Sequence, residues 1–238
     1  ILANRLKCAM LETMKYPIRA RALNAHSYAH GPVIYWMNRE MRVHDNWALL
    51  EAYQFAQEHA VPFAIVFNLM PSFLTATNHP QDRMYAWMKE GLKIVHAEAH
   101  ALGIPFYVRE GDAVTNLSQF IQHHGVGAVF TDFNPLRVMR SMKQKVADQV
   151  TIPVVEVDAH NIVPWFVASD KQEWGAYTLR PKIHRLLPNY LIPYPSLKPN
   201  DITPLAIPYT PPTWLLSPAS LVPTKIRSEE HTSELQSR

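Results

Sequence analysis

"PVIYWMNREMRVHDNWALLEAYQFAQEHAVPFAIVFNL" occupies Pro32–Leu69, and its reading decides the fold. Pro32–Met37 is a short apolar run of β-branched and aromatic residues, the pattern of a buried strand. Asn38, Arg39, Glu40, Arg42, His44, Asp45 and Asn46 then arrive almost together. From Asn46 to His59 apolar residues recur at Leu49, Ala52, Tyr53 and Ala56, which is helical spacing. Val61–Leu69 is a second apolar run. Strand, polar turn, helix and strand in this order make a β-α-β unit, whose two strands must lie parallel.

The pattern repeats outward. Asp82–Gly103 places Met84, Met88, Leu92, Val95, Ala99 and Leu102 on one helical face, and Gly103 can end it. Ile104–Val108 reads as a third strand, Val114–His124 as a helix, Gly127–Asp132 as a fourth strand, Leu136–Gln149 as a helix and Pro153–Asp158 as a fifth strand. The expectation is an α/β fold: a five-stranded parallel, Rossmann-like sheet with helices on both faces. Ligands of such sheets bind beyond the carboxyl ends of the strands, where strand order reverses. The Met37–Asn46 turn is expected there.

The chain has 238 residues, of which 47% are apolar and 18% charged, enough for a sizeable core. No apolar run approaches the roughly 18 residues that span a bilayer, and the start lacks the pattern of a secretory leader. A single cysteine, Cys8, excludes an internal disulfide. A soluble protein of a reducing, intracellular compartment is expected. Net charge is a mild +3. Only Gly125 and Gly127 form a G-x-G, and they precede a strand, so the phosphate-binding glycine loops of P-loop and dinucleotide folds are excluded as motifs.

Beyond Asp158 the texture changes. Pro181–Pro223 holds 11 of the 20 prolines, a density that reads as an extended connector lying on the domain or linking it to another, poorly fixed after about Pro195. Arg227–Arg238, "RSEEHTSELQSR", is apolar-poor and reads as an adapter-derived tail. With Ile1 in place of an initiator methionine, the chain is expected to be part of a longer protein.

Several clusters carry polar chemistry. In the first turn, Asp45 or Asn46 is expected to cap the helix. Arg39 and Arg42 stand beside the positive end of that helix, which is unfavourable without a nearby acid or anion. His96 and His100 are spaced i, i+4, but no third ligand is near, so a solvated helix face is favoured over a metal site. "TDFNPLR", Thr131–Arg137, leaves the same sheet end as the first turn. Arg137, Arg140, Lys143 and Lys145 could touch phosphates, but a solvated helix face is the favoured reading. In Asp158–Ile183, Trp165, Phe166, Trp174 and Tyr177 mix with Asp170, Lys171, Glu173, Arg180 and Lys182, which suggests docking against another surface or a cover for the sheet edge.

Taken in order, "GPVIYWMNREMRVHDNWALL" (Gly31–Leu50), "TDFNPLR" and "VDAHNIVPWFVASDKQEWGAYTLRPKI" (Val157–Ile183) resemble the amino-terminal half of class II cyclobutane-pyrimidine-dimer photolyases, over about Arg19–Pro195. Trp36, Met37, Arg39, Arg42, Asp45 and Asn46 match that pattern, and "VPWFVASD" near Trp165 departs from it. The resemblance implies an α/β light-harvesting domain at 31–165 after an extension at 1–30, an interdomain connector at 166–226 and the tail at 227–238. It also implies a further helical domain, outside this chain, that holds FAD and the DNA-lesion pocket. The complete parent would then be an enzyme, a deoxyribodipyrimidine photo-lyase acting on UV-damaged DNA, and this chain alone would hold no catalytic residue, no metal and no repair activity.

On this reading an antenna chromophore, 8-hydroxy-deazaflavin or folate, is expected between Trp36, Met37, Arg39, Phe67, Asn68, Leu69, Asp132 and Phe133. The bland alternative is a cleft packed shut by its own side chains. Arg42, Asp45, Asn46, His160, Asn161, Trp165, Lys171, Glu173 and Arg180 are expected to face the flavin domain. Alternatives are a cryptochrome-type photoreceptor module and an unrelated nucleotide-binding α/β protein.

Overall fold

The computed structural model describes residues 17–28, 30–70 and 82–219, so the sequence readings of the first sixteen residues and of the adapter-like tail lie outside the described residues. The strands are β1 (Ala20–Ala22), β2 (Val33–Met37), β3 (Phe63–Leu69), β4 (Phe106–Glu110), β5 (Ala128–Asp132) and β6 (Val154–Val157). The helices are α1 (Trp47–Glu58), α2 (Asp82–Ala101), α3 (Ala113–His123), α4 (Arg137–Gln149), α5 (Trp165–Ala168), α6 (Ala176–Tyr190) and α7 (Thr213–Leu216).

The sheet runs β1-β6-β5-β2-β3-β4. Strands β2 to β6 are parallel, as the β-α-β pattern requires. The chain moves one way from β2 through β3 to β4, then the other way through β5 to β6. The reversal falls between β2 and β5, which pair directly from Val33↔Ala128 to Trp36↔Thr131. Their carboxyl ends are neighbours, so the Met37 turn and the Asp132 turn meet at the switch point.

Strand alternation divides the core in two. Tyr35, Met37, Phe67, Leu69 and Phe130 lie on the face covered by α1 and α2. Ile34, Trp36, Val66 and Val129 lie on the other face with Ala113, Leu117 and Phe120 of α3 and Val146 and Ala147 of α4.

Two expectations are corrected. The sheet has six strands, not five: β1, from the segment read as an extension, pairs antiparallel with β6 from Ala20↔Val157 to Ala22↔Val155. Three residues with an arginine at their centre give no detectable period. The segment read as an extended connector contains a 15-residue helix, α6, with Pro181 and Pro188 inside it. Each proline removes the bond to the carbonyl four residues earlier, at Tyr177 and His184. Both residues are exposed, so water can serve those carbonyls.

The chain from Lys198 to Tyr209 is extended, but it is fastened to the sheet rather than loose. Phe63 N–H donates to Thr203 O at 2.9 Å and Leu205 N–H donates to Phe63 O at 2.8 Å, continuing the sheet by one rung. Tyr107 Oη donates to Leu205 O at 2.6 Å. Tyr209 Oη accepts from Val108 N–H at 2.9 Å and donates to Val108 O at 3.2 Å, filling a rung on the free edge of β4.

Candidate functional site

Asp132 ends β5 and is fully buried. Its carboxylate accepts from the Tyr35 hydroxyl at 2.9 Å and from the amides of Asn38 at 2.9 Å, Arg39 at 3.1 Å and Glu40 at 3.2 Å. A polar turn leaving a parallel strand has orphan amides, and here one acid from the neighbouring strand collects three of them. The Lys143 ammonium donates to the Asp132 carbonyl and lies 3.9 Å from its carboxylate and 3.5 Å from Glu156. Burial pushes the Lys143 ammonium below its ordinary value, while Asp132 and Glu156 oppose the shift. Lys143 is thus buried, and the basic face read along α4 is left with Arg137, Arg140 and Lys145.

Asn46 caps α1, accepting from Ala48 N–H at 3.0 Å and Leu49 N–H at 3.2 Å. Its amide donates to Tyr35 Oη at 3.1 Å and to the Glu40 and Arg42 carbonyls at 3.1 and 3.0 Å. Asp45, with φ 52°, takes the left-handed conformation that lets the turn reach the cap. The turn is therefore built around Asn46 and Asp132, and its charge is spent largely on holding its own shape.

The acid that the two arginines need is Glu40, which the sequence reading left unassigned. Its Oε2 meets Arg42 at 2.9 Å. Its Oε1 accepts from His160 Nδ1 at 3.1 Å, and His160 Nε2 accepts from Arg39 Nη2 at 2.9 Å. This tautomer follows from the two partners. Two arginines around a single acid, with a histidine just beyond the end of β6, were the available signal.

His160 is positioned by Asp158, a buried acid also missed. Asp158 accepts from the amides of His160 at 3.2 Å, Asn161 at 3.0 Å and Trp165 at 2.9 Å. Trp165 stacks on Phe133 with centroids 5.7 Å apart, and Arg21 lies 5.0 Å over its ring while binding Glu156 at 2.7 Å. Arg19, buried, sits 4.7 Å over Trp47 and 5.1 Å over Tyr190 and donates to the carbonyls of Asn161 at 3.0 Å and Tyr190 at 3.3 Å. Beside it, Glu51 is buried with Oε1 unpartnered, and desolvation pushes its carboxyl up to about 8 against the attraction of Arg19.

The residues expected around a chromophore are divided by the sheet. Met37, Phe67 and Leu69 are buried in the α1–α2 core, and Asp132 faces Tyr35 on that side with its oxygens occupied. Trp36 lies on the α3–α4 side, fully buried, with its indole N–H unpartnered. Asn68 is buried and donates to Gly111 O at 2.9 Å. Arg39 is half-buried against His160, and Phe133 is buried beneath Trp165. Of the outer set, Glu173 is turned inward to Lys182 at 2.5 Å and Ser169 at 2.7 Å, whereas Lys171 and Arg180 are exposed. His96 lies against Phe106 with ring centroids 6.2 Å apart. A hollow of about 190 Å³ lined by Ala56, Gln57, Val61, Asp201 and Thr203 lies near the amino end of β3, away from these groups.

Residues 33–200 match the family model described as DNA photolyase. The chain is 43% identical over 171 residues to a deoxyribodipyrimidine photo-lyase of Arabidopsis thaliana, covering 71% of this chain and 34% of that protein. It is 45% identical over 166 residues to the protein of the same name from Potorous tridactylus, covering 69% and 30%. It thus spans about a third of the length of these relatives. The fold is similar to an archaeal photolyase from Sulfolobus tokodaii, whose structure holds two FAD molecules and is described as implying a novel light-harvesting cofactor, with TM-score 0.52, 16% identity and coverage of 65% of this chain and 35% of that one. It is also similar to a bacterial class III photolyase from Agrobacterium tumefaciens, with TM-score 0.51, 22% identity and coverage of 76% and 36%.

Proposed function

Because this chain belongs to the DNA photolyase family, we propose that it is the light-harvesting α/β portion of a deoxyribodipyrimidine photo-lyase, whose complete form uses FAD and blue light to split cyclobutane pyrimidine dimers in DNA. The observation that carries this is the family match across 33–200, which spans the whole parallel sheet and the turns at its switch point. FAD would be held by the part of the relatives' length that this chain does not cover.

The chromophore proposal narrows to one side of the sheet. An indole N–H with no partner in a fully buried position is a donor waiting for an acceptor. Trp36, with Asn68 nearby at the end of β3, fits a flat ring carrying carbonyl acceptors, such as a deazaflavin or a folate. When bound, such a ring would absorb light and pass excitation on. The chain's residues would supply a hydrogen bond from Trp36, orientation from Asn68 and Arg39, and exclusion of water. Asp132 acts one step back, by fixing the turn that carries Arg39. Met37, Phe67 and Leu69 support the opposite core.

The rim formed by Arg39, Arg42, His160 and Trp165 is proposed to face the flavin domain. Asp45, Asn46 and Asn161 hold it in shape.

The chromophore reading is tested by titrating the chain with an 8-hydroxy-deazaflavin and following absorbance and fluorescence. Saturable binding that weakens about tenfold in Trp36→Phe, which loses one hydrogen bond of ~1–1.5 kcal/mol, supports it. Absence of binding by the folded chain overturns it. Repair is tested separately, with the complete parent on dimer-containing DNA under blue light.

A further inference from the structure

Helix α6 has two unlike faces. Leu179, Ile183, Leu186, Leu187 and Tyr190 turn inward to a small core with Val163 and Ala168. Tyr177, Arg180, His184 and Arg185 lie on the outward stripe, all exposed, and Lys171 and Trp174 stand exposed just before the helix. Trp174 is 90% exposed and Tyr177 is 81% exposed. The Tyr177 ring lies beside Gly175, where an added Cβ would meet it at 2.8 Å, so the glycine lets the ring sit against the backbone. The loop beneath is fixed, because Lys182 and Glu173 pair with each other and with Ser169. Arg19 and Tyr190 fasten the far end of the helix to the sheet.

The stretch is net positive. Of the chain's net +3, Asp170–Arg185 carries +2: Lys171, Arg180, Lys182 and Arg185 stand against Asp170 and Glu173. Among the described residues, no carboxylate forms an ion pair with Lys171, Arg180 or Arg185. Large rings stand between these cations, and the aliphatic residues turn inward. Rings and cations are the two elements of a single-strand platform: π-faces for bases and cations for phosphates.

We propose that this face of α6, with Lys171 and Trp174, docks single-stranded DNA, the rings stacking on bases and Lys171, Arg180 and Arg185 holding phosphates. The choice of DNA over RNA rests on the family reading above. The surface chemistry itself does not depend on repair.

The test is fluorescence anisotropy of a labelled 16-nucleotide oligothymidylate with the whole chain at 50 and 200 mM NaCl. Three phosphate contacts on a single strand give a salt slope of about −2, so affinity should fall roughly 20-fold across that range. The Arg180→Ala/Arg185→Ala double variant should fall only about threefold over the same range. Trp174→Ala should lose about tenfold at either salt with its slope unchanged. All these positions are exposed, and an unchanged thermal midpoint checks the fold. A 16-base-pair duplex that binds as tightly as the oligothymidylate would overturn the proposal, as would indifference to Trp174→Ala. Tighter binding of a matching oligouridylate would overturn the assignment to DNA while leaving the repair reading, measured on the parent, intact. Self-association that Trp174→Ala abolishes, without any oligonucleotide binding, would make this a protein-docking face instead.

Discussion

The Tyr35 hydroxyl donates to the Asp132 carboxylate at 2.9 Å across the β2–β5 pair, in the middle of the sheet. Burial and the adjacent carboxylate push the phenol of Tyr35 well above its ordinary value, so it stays a donor at any pH the fold survives. The pair sits under the turn that Asp132 also holds through three backbone amides. Asp132→Ala should cost about 3–5 kcal/mol, because the buried Tyr35 hydroxyl and three backbone amides lose their acceptor and the buried Lys143 charge loses one of its two nearby carboxylates. Tyr35→Phe should cost about 1–2 kcal/mol. A double-mutant cycle in urea should show the two effects to be less than additive.

Glu51 gives the protein a pH dependence of unusual sign. Its folded value of about 8 lies above the ordinary 4.5, so burial of the neutral form is free of penalty below about pH 4.5 and becomes costly as the pH rises toward 8. At pH 7 the penalty is of order 3 kcal/mol. Glu51→Gln should therefore stabilise the chain at pH 7 and flatten its stability between pH 5 and 8. Urea midpoints at those two pH values decide the matter; an equal shift at both would show that the carboxyl does not titrate there.

Arg19 joins α1, α6 and the loop after β6 through two ring faces and two carbonyls. Lysine can neither stack so broadly nor reach both carbonyls with a rigid fork. Arg19→Lys should cost about 2–3 kcal/mol, and it should speed protease cleavage within α6 before cleavage elsewhere. Mass spectrometry of timed digests reads the order of cuts.

The strap from Lys198 to Tyr209 should resist nicking. The amide of Leu205, bonded to Phe63 O, should exchange as slowly as those of β3. Tyr209→Phe removes both bonds to Val108 and should cost about 1–2 kcal/mol, with faster exchange at Val108. Rapid exchange at Leu205 in the unaltered chain would contradict this arrangement.

The parallel strands, α1 to α4 and the switch point were legible because each rests on a local period: uninterrupted apolar runs of four to seven residues and helical repeats of ten or more. The cap at Asn46 was legible from residue type. What escaped depends on partners distant in sequence. Ala20–Ala22 is a strand only because β6 offers an edge. Pro181 and Pro188 are tolerated only because the carbonyls they orphan face water. Glu40 finds His160 120 positions away. The expected chromophore wall was drawn from consecutive residues, Trp36 with Met37 and Phe67 to Leu69, and a strand sends neighbours to opposite sides. Alternation was present in the sequence, and applying it would have split that set.

The fastening of Thr203–Leu205 and Tyr209 also sets a distance. Helix α6 is tied at the β1 edge through Arg19 and Tyr190, while Tyr209 is tied at the β4 edge. Five inter-strand gaps separate those edges, about 24 Å at the usual spacing. The extended segment carries the polypeptide across that width and delivers it at a fixed point. The next element, α7, therefore starts from an origin already surveyed, on the opposite flank from the helix that preceded the crossing, and Leu215 seats it in the α1–α2 core. Lengthening or shortening the segment between Leu191 and Lys198 should leave that origin unmoved, because the anchors and not the contour length define it.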